Sequence, residues 1–315
     1  MKILCVGEAL IDMICTDVGS SLKEGQQFLK KAGGAPANVA AATAALGSKV
    51  ELVAKVGADP FGNHIEDVLI EFGVGTSLLF KDKAHFTTIA FVSLMQNGER
   101  DFYFNRGADG ELSVAEVDGI DLAQFGIVHF GSATGFLPGP LRTSYAKLLE
   151  KCLEQDVFIS FDPNYRHLLY QNGHAGFVEQ SWNFLKSCHF YKLSDEEACL
   201  LTNKATVEEA AIHLLAETKA VFAITLGKEG TMLVHRKNKI TVPSISVKPV
   251  DTTGAGDAFV GAVLYQLSTL QEDLNSISFD NWKNIISNAN KAGARTCEYM
   301  GAMEAFKHLS NEIFN

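Results

Sequence analysis

Short apolar runs alternate with longer segments of helical pattern along most of this chain. The strand-like runs are 1–6, 50–56, 127–130 and 157–161, and helical segments follow at 62–72 and 140–154. Such alternation predicts a mostly parallel sheet with helices on both faces, because each crossover between parallel strands needs a connection about as long as a helix. The length of 315 residues suits one large domain. We therefore expect a single α/β domain over residues 1–315.

Two β-rich runs interrupt this alternation. Residues 87–94 and 100–104 have strand composition and flank Asn97-Gly98, a dipeptide typical of hairpin turns. A hairpin inserted into an α/β chain needs a position outside the main sheet. Together with strands from about 12 to 32, it is expected to form a small β-sheet lid from about 12–32 and 86–107, which covers a ligand site.

A glycine-rich stretch near the C-terminus has the composition of an anion site. It runs Asp251-Thr252-Thr253-Gly254-Ala255-Gly256-Asp257 into an apolar helical segment. Its glycines allow a tight turn, and the unpaired amides and dipole of the helix favour phosphate or the charge that develops in phosphoryl transfer. Asp257 would weaken anion binding unless it takes a proton from a substrate hydroxyl. The alternative is an acidic residue that merely stabilises the first turn of the helix.

A second glycine pair, Gly33-Gly34, precedes a helix predicted over 37–46, which Gly47 ends. The small side chains predict a buried helix that a ligand or another backbone can approach closely. Asn38 offers both a donor and an acceptor to a sugar-like hydroxyl. A tightly packed helix entrance is the alternative. Asp12 stands in an apolar, alternating strand, where it either faces solvent or has a function.

Polar residues also follow other predicted strands. The segment 162–166 lies at the carboxyl end of a strand, the edge where open parallel sheets bind ligands, although a proline-containing turn would explain it too. Arg106 follows the hairpin and either reaches inward or is solvated. Ser194 and Glu197 have capping-box spacing, which is a sufficient structural explanation. The turn 227–230 between two strands either tightens the bend or leaves room for a nucleotide.

Charge and cysteine content exclude several classes of protein. With 27 basic and 37 acidic residues the net charge is -10, without a long run of either sign, so neither nucleic acid nor a membrane is an expected partner. The N-terminal apolar run is too brief for a signal peptide or a membrane span. The six cysteines form no CxxC pair and suit free thiols. We expect a cytoplasmic protein without disulfides.

Taken together and in this order, the two glycine motifs resemble the two signatures of the ribokinase-like (PfkB) carbohydrate kinases. The resemblance covers essentially the whole chain, and 106–109 and 162–166 are most similar to the fructokinase branch. It implies an ATP-dependent kinase that converts D-fructose to fructose 6-phosphate. A 2-keto-3-deoxygluconate kinase or a nucleoside kinase of the same family is the alternative. A noncatalytic sugar- or nucleotide-binding regulator is the alternative from another class.

The resemblance also implies a role for individual residues. The general base is Asp257, and the anion hole is formed by the amides of Gly254, Ala255 and Gly256. The sugar-binding residues are Asp12, Gly33, Gly34, Asn38, Arg106 and Arg166. The nucleotide-binding residues are Asn164, Lys192, Thr225, Gly227, Gly230, Asn288 and Asn290.

Two metal ions and an assembly follow from the same resemblance. Glu197 matches a residue that acts on Mg²⁺ through water, although Ser194 stands where the family has asparagine. Asp251 and Thr253 match a monovalent-cation site that holds K⁺ in relatives. ATP is the expected co-substrate, and a homodimer through the lid sheets is the expected assembly.

Overall fold

The computed structural model describes residues 1–95 and 100–314. Within them the chain forms thirteen strands and ten α-helices. The strands are β1 (Ile3–Val6), β2 (Leu10–Cys15), β3 (Phe28–Gly33), β4 (Val50–Gly57), β5 (Leu79–Asp82), β6 (Ile89–Leu94), β7 (Arg100–Asn105), β8 (Ile127–Gly131), β9 (Phe158–Asp162), β10 (Phe190–Ser194), β11 (Val221–Thr225), β12 (Thr231–His235) and β13 (Asn238–Val242). The helices are α1 (Ala35–Ala45), α2 (Pro60–Glu71), α3 (Val114–Asp118), α4 (Pro140–Glu154), α5 (His174–Ser187), α6 (Asp195–Thr202), α7 (Val207–Glu217), α8 (Ala255–Thr269), α9 (Phe279–Thr296) and α10 (Ala302–Phe306).

The larger sheet is mostly parallel, as predicted. Its order in the described residues is β13-β12-β11-β10-β9-β8-β1-β4-β5. Neighbours from β11 to β5 are parallel, whereas β12 runs antiparallel to β11 and to β13. The carboxyl ends of the parallel strands therefore point to one common edge.

Helices cover both faces of this sheet. Alternate residues of β1 enter two different apolar clusters, Ile3 and Cys5 on one face and Leu4 and Val6 on the other. The first cluster includes residues of α1, α2, α8 and α9, and the second includes residues of α4, α5, α6 and α7. A strand buried on both faces has this continuous apolar sequence.

A separate four-stranded sheet has the order β3-β2-β6-β7. In the register, Asp12 pairs with Lys31 of β3 and with Ala90 of β6. Strands β6 and β7 are antiparallel, as a hairpin requires. The predicted turn at Asn97-Gly98 lies outside the described residues. The second sheet is therefore confirmed, and its strands extend slightly beyond the predicted limits of 12 and 32.

Several boundaries and elements differ from the sequence expectation. Helix α1 begins two residues earlier than predicted, because Pro36 is accepted in a first turn, where its missing N–H costs no hydrogen bond. Residues 7–9 separate two strands of different sheets: β1 belongs to the larger sheet and β2 to the four-stranded one. The sequence pattern did not predict β5, β13, α3, α5, α7 or α10. Among the residues that the structure describes, none of the helices is both long and apolar enough to span a membrane.

Candidate active site

The glycine-rich turn 251–257 opens α8. Gly254 is the N-cap residue and has φ 82°, a left-handed conformation that favours glycine. A Cβ on Gly254 would also lie 2.9 Å from the Cα of Ala302, so packing excludes a side chain there. Within this turn Ala255 N donates to Thr252 O at 3.2 Å, and at such a helix entrance the dipole favours an anion.

The two glycine motifs meet at Asp257. Asn38 Nδ2, one turn into α1, donates a hydrogen bond of 2.8 Å to Asp257 Oδ2. Both residues are buried. The helices can approach this closely because a Cβ on Gly261 of α8 would lie only 2.9 Å from the Cβ of Ala42. The small residues of α1 thus bring the amide of one motif against the acid of the other.

Asp257 is a buried carboxyl group that titrates near neutral pH. Burial raises its pKa to about 6, and the nearby charge of Asp162 acts in the same direction. The hydrogen bond from Asn38 and the charges of Arg166 and Lys192 oppose this rise. A carboxylate with such a pKa is ionised at pH 7.5 and is a stronger base than an exposed aspartate.

Asp12 lies against Gly33 of the first glycine motif. A Cβ on Gly33 would be 3.1 Å from the Cγ of Asp12, so the carboxylate occupies the space of the missing side chain. Asp12 is partly buried, and burial raises its pKa to about 6, while Arg166 opposes the rise. Asp12 is therefore neither fully exposed nor fully buried.

The two arginines of the sequence prediction have different surroundings. Arg166 is exposed and donates to the carbonyl of Tyr165 at 3.2 Å. Its positive charge lowers the pKa of Glu8, Asp12 and Asp257.

Arg106 is turned toward the body of the protein and is not simply solvated. Its Nη1 donates to Pro138 O at 2.6 Å and its Nη2 to Thr134 O at 3.3 Å. Its Nε lies 3.6 Å from Asp109 Oδ2. In this conformation the guanidinium binds the segment after β8.

A buried lysine lies behind the anion turn. Lys192 Nζ is 3.2 Å from Asp162 Oδ2 and 4.0 Å from Glu197 Oε2. It would be 3.4 Å from a Cβ on Gly256. Although burial lowers the pKa of Lys192, the carboxylates of Asp162, Glu197 and Asp257 outweigh it and raise the pKa above its ordinary value. The site therefore holds a charged ammonium next to the helix entrance.

Glu197 is held by main-chain amides. The predicted capping box with Ser194 is confirmed, since each side chain binds the other residue's amide. The remaining oxygen, Oε1, accepts from Tyr165 N at 2.8 Å. Both oxygens of Glu197 thus have a donor already, and a metal ion would reach this carboxylate most simply through water.

The start of the glycine turn is rich in oxygen atoms. Asp251 Oδ1 accepts from Thr253 N and Oγ1, at 3.0 and 2.7 Å, and Asp251 Oδ2 accepts from Gly301 N at 2.8 Å. This carboxylate joins the turn to the loop after α9. Oxygen ligands of this kind suit a hard cation.

The turn 227–230 lies at the same edge of the sheet, after β11. Gly227 and Gly230 have φ 57° and 108°. A Cβ on Gly230 would lie 2.7 Å from Ser244 N, so close packing explains this glycine without a ligand. Thr225 Oγ1 donates to Leu193 O at 3.3 Å. Asn164 has φ 50°, and its buried Oδ1 has no hydrogen-bond partner in the described part of the chain.

The two predicted asparagines of α9 are in different positions. The amide of Asn290 accepts from Thr231 Oγ1 at 2.6 Å and donates to Val242 O at 3.0 Å, so it holds β12 and β13 against α9. Asn288 donates to Gln266 of α8 at 2.9 Å. Gln266 is about 16 Å along α8 from the anion turn, so Asn288 lies apart from the cluster around Asp257.

Sequence reasoning missed one buried acid of this region. Glu8 is 1% exposed, and its Oε1 accepts from Ala35 N, the first amide of α1, at 3.1 Å. Its Oε2 accepts from Thr134 Oγ1 at 3.4 Å. The signal was an acidic residue directly after a buried strand, at the edge where parallel strands end.

Two surface clefts lie elsewhere on the molecule. One of about 470 Å³ is lined by Ile245, Lys291, Arg295, Ser310, Glu312 and Ile313. One of about 380 Å³ is lined by Ala44, Ala45, Glu71, Phe72, Phe306, Lys307 and Leu309. Neither cleft is lined by Asp12, Asp162 or Asp257. The convergence of chemical groups, and not cavity volume, identifies the candidate site.

Comparison with known proteins gives one consistent result. Residues 1–308 match the profile described as "pfkB family carbohydrate kinase". Fructokinase-2 of Solanum lycopersicum is 36% identical over 318 residues, covering 99% of this chain and 94% of its own, and Fructokinase-1 of Zea mays is 35% identical over 311 residues, covering 96% and 93%.

Solved structures agree with these sequence relatives. The ATP-bound fructokinase of Xylella fastidiosa superimposes with a TM-score of 0.88 at 29% identity, covering 99% of this chain and 96% of its own. A Vibrio cholerae fructokinase double mutant with fructose, ADP and potassium bound has a TM-score of 0.84 at 28% identity, covering 99% and 96%. Because the profile spans almost the whole chain and curated relatives exceed 30% identity over nearly their full length, the chain belongs to the pfkB family of carbohydrate kinases.

Proposed function

We propose that this sugar kinase transfers the γ-phosphate of ATP to the primary hydroxyl of D-fructose, giving fructose 6-phosphate and ADP. The hydroxyl oxygen forms the new bond to phosphorus, the bond from phosphorus to ADP breaks, and the hydroxyl proton passes to Asp257. The observation that carries the proposal is the hydrogen bond between Asn38 and Asp257, which joins the two glycine motifs. Fructokinases among the relatives favour fructose as the sugar.

Asp257 acts as the general base. With its pKa raised to about 6 by burial, it is ionised at neutral pH and remains basic enough to accept a proton. Asn38 fixes the orientation of Oδ2, which leaves Oδ1 for the substrate. A positioned base of this kind contributes about 10²–10⁴-fold to the rate.

The amides of Gly254, Ala255 and Gly256 form the anion hole for the transferred phosphoryl group. Gly256 lets the ammonium of Lys192 lie near the backbone, 3.4 Å from where a Cβ would stand, and this charge and the dipole of α8 add positive potential. Each donor of such a hole is worth about 10²–10³-fold in rate. Little covalent assistance is needed in phosphoryl transfer, so this positioning and electrostatic stabilisation account for most of the catalysis.

Mg²⁺ supplies charge neutralisation between the ATP phosphates when it is bound. Because both oxygens of Glu197 already accept main-chain amides, we assign it a contact through water. Asp251 and Thr253 would hold K⁺ and so order the turn that starts the anion hole. The potassium in the Vibrio cholerae enzyme supports this assignment.

We assign sugar binding to Asp12, Gly33, Gly34, Asn38, Arg106 and Arg166. We assign nucleotide binding to Asn164, Lys192, Thr225, Gly227, Gly230, Asn288 and Asn290. The side-chain amide of Asn290 already bonds to β12 and β13, so a bound nucleotide would have to share that amide with these strands. The four-stranded sheet is the lid, and closure would exclude water from the phosphoryl group.

The lid sheet also carries exposed apolar residues on the face that includes Asp12. Ile14, Leu29 and Leu94 are 39%, 44% and 61% exposed, and the register pairs Ile14 with Leu29. Exposed apolar patches on a soluble protein mark interaction surfaces. We therefore propose a homodimer through the lid sheets. Sedimentation velocity of Leu29→Lys should give a monomer where the wild type gives a dimer.

A coupled assay of ADP release, run with hexoses, pentoses and sugar acids, tests the proposed reaction. D-fructose should give the highest kcat/KM. Absence of sugar-dependent ADP release with the whole panel would refute the kinase assignment and favour a noncatalytic regulator.

A sugar-acid kinase is the second candidate, because the guanidinium of Arg166 is exposed, its charge acts on Asp12 and Asp257, and a guanidinium can bind a substrate carboxylate. Arg166→Ala should reduce kcat/KM for a sugar acid far more than for fructose. A preference of the wild type for 2-keto-3-deoxygluconate over fructose would select this candidate.

A further inference from the structure

Glu8 is a buried carboxylate that neither glycine motif explains. It follows β1 directly, and its two oxygens bind different parts of the chain. Oε1 accepts from the amide of Ala35, and Oε2 accepts from the hydroxyl of Thr134. Glu8 therefore joins α1 to the segment after β8.

Helix α1 needs this distant acceptor because its own N-terminus has no side-chain cap. The N-cap residue is Gly34, and the first turn contains no acidic residue. An oxygen acceptor at the first amides and a negative charge near the dipole both stabilise a helix N-terminus. Asn38, which orients Asp257, lies one turn further along the same helix. The position of Asn38 thus depends on how firmly Glu8 holds the start of α1.

Thr134 extends the connection toward the lid sheet. Its hydroxyl donates to Glu8, and its carbonyl accepts from Arg106. Asp109, beside Arg106, accepts a hydrogen bond from the hydroxyl of Thr88, the residue directly before β6. A continuous series of polar contacts therefore runs from the sugar-binding end of α1 to the base of the lid sheet.

The charge environment of Glu8 makes it sensitive to pH. Burial raises its pKa to about 7, and the charge of Asp109 adds to this rise, whereas its own amide, the amide of Ala35 and the charge of Arg166 oppose it. The phenols of Tyr145 and Tyr170 also lie nearby, and burial raises the pKa of each, so both are neutral at pH 7. A neutral glutamine would fit this place at a lower desolvation cost.

We propose that Glu8 is a positioning residue of the sugar site, whose ionised carboxylate fixes the first turn of α1 and, through Thr134, the segment that holds Arg106. Its kinetic test rests on the proposed function. Protonation removes the negative charge at the helix N-terminus and makes the carboxyl group a weaker acceptor for the amide of Ala35. Sugar affinity should therefore weaken as Glu8 becomes protonated, while nucleotide binding, which uses other elements, should not.

The first experiment compares Glu8→Gln with the wild type for KM of D-fructose and kcat, at saturating ATP, from pH 6 to 8.5. Because helix caps and dipole contacts are each worth about 1 kcal/mol, the variant should show about a fivefold higher KM above pH 7, with a smaller fold-change in kcat. The ratio of the two KM values should fall toward one at pH 6. The Kd of ADP should be equal in both proteins.

Glu116→Gln is the matched control. Glu116 also caps a helix, α3, and binds Lys55, but it contacts none of the residues assigned to the sugar or the nucleotide. Its KM for fructose should equal that of the wild type at every pH. A KM ratio of one for Glu8→Gln across the whole range would overturn the proposal.

A second readout needs no activity. Hydrogen exchange of a peptide covering 33–45, corrected for intrinsic rates, should be faster in Glu8→Gln than in the wild type at pH 8 and unchanged in Glu116→Gln. If the wild type phosphorylates no sugar, the proposed function fails, and this exchange measurement still decides the role of Glu8. Equal exchange in all three proteins would refute it.

If Glu8→Gln does not fold, Thr134→Val replaces it, because valine keeps the size of threonine and removes the donor to Oε2. KM for fructose should rise about twofold to threefold, in line with the loss of one hydrogen bond. A KM equal to that of the wild type would refute the connection through Thr134.

Discussion

Asp257→Asn should separate the two roles that an acidic residue at the start of α8 can have. Asparagine keeps an oxygen that can accept from Asn38, so the hydrogen bond at 2.8 Å can persist. It loses the capacity to take the substrate's proton. We expect kcat to fall by about 10²–10⁴-fold, the contribution of a positioned base, while the Kd of ADP changes little.

The same substitution should stabilise the folded protein above pH 6. The pKa of Asp257 is raised from 3.8 to about 6 by burial, so the folded protein keeps a proton that the unfolded chain releases between these values. The unfolding free energy of the wild type therefore falls as pH rises through this window. Asparagine does not ionise, and the variant should gain up to about 3 kcal/mol at pH 8 and about half of that at pH 5.

Steady-state kinetics and denaturant unfolding at pH 5 and pH 8 measure both effects. The wild-type kcat should rise with pH through about 6 and then level off, because the ionised carboxylate is the proposed base. Asp280→Asn is the control, since Asp280 is an exposed acid in the first turn of α9. It should keep wild-type activity and lose about 0.3–1 kcal/mol. Activity of Asp257→Asn within tenfold of the wild type, or a loss of stability at pH 8, would refute the reasoning.

Three further predictions concern the anion turn, the charge of Arg166 and the monovalent cation. Gly254→Ala should lower kcat in the coupled assay. It should also lower the unfolding free energy by about 1–3 kcal/mol, measured by thermal unfolding, because φ is 82° and the new Cβ would clash with Ala302. Arg166→Gln should move the acidic limb of the kcat profile to higher pH, because the positive charge of Arg166 lowers the pKa of Asp257; an unmoved limb would show that the charge does not reach the base. Replacing K⁺ by tetramethylammonium should reduce kcat, and Asp251→Ala should remove this dependence on the cation; equal rates in both salts would argue against the cation site.

The sequence predicted those features that depend on local pattern. The apolar runs predicted β1, β4, β8 and β9, and the capping-box spacing at Ser194 predicted the start of α6. Strand β13 was not predicted, because four of its five residues are not buried and its sequence resembles a polar loop. Strand β5 is short and only its first residue is buried. Edge strands of this kind carry little apolar periodicity for a pattern to detect.

The candidate site was predictable only in part, because its geometry depends on contacts between distant elements. The glycine motifs predicted the acid Asp257 and the amide Asn38, since each stands at a helix entrance. No local pattern relates Glu8 to Ala35 or to Thr134, which the crossing of α1 over the end of β1 brings together. Likewise, only the structure reveals that Asn290 holds two strands.

The acids of this site illustrate why a fold tolerates groups that weaken it. Burial raises the pKa of Glu8, Asp12 and Asp257, so each carboxylate lowers the stability of the folded protein near neutral pH. The charge of Arg166 lessens this cost at all three without removing it. The desolvation that destabilises ionised Asp257 is also what makes it a strong base, because a carboxylate poorly solvated by water gains more from accepting a proton. The stability that Asp257→Asn should gain and the catalysis that it should lose therefore have one physical origin.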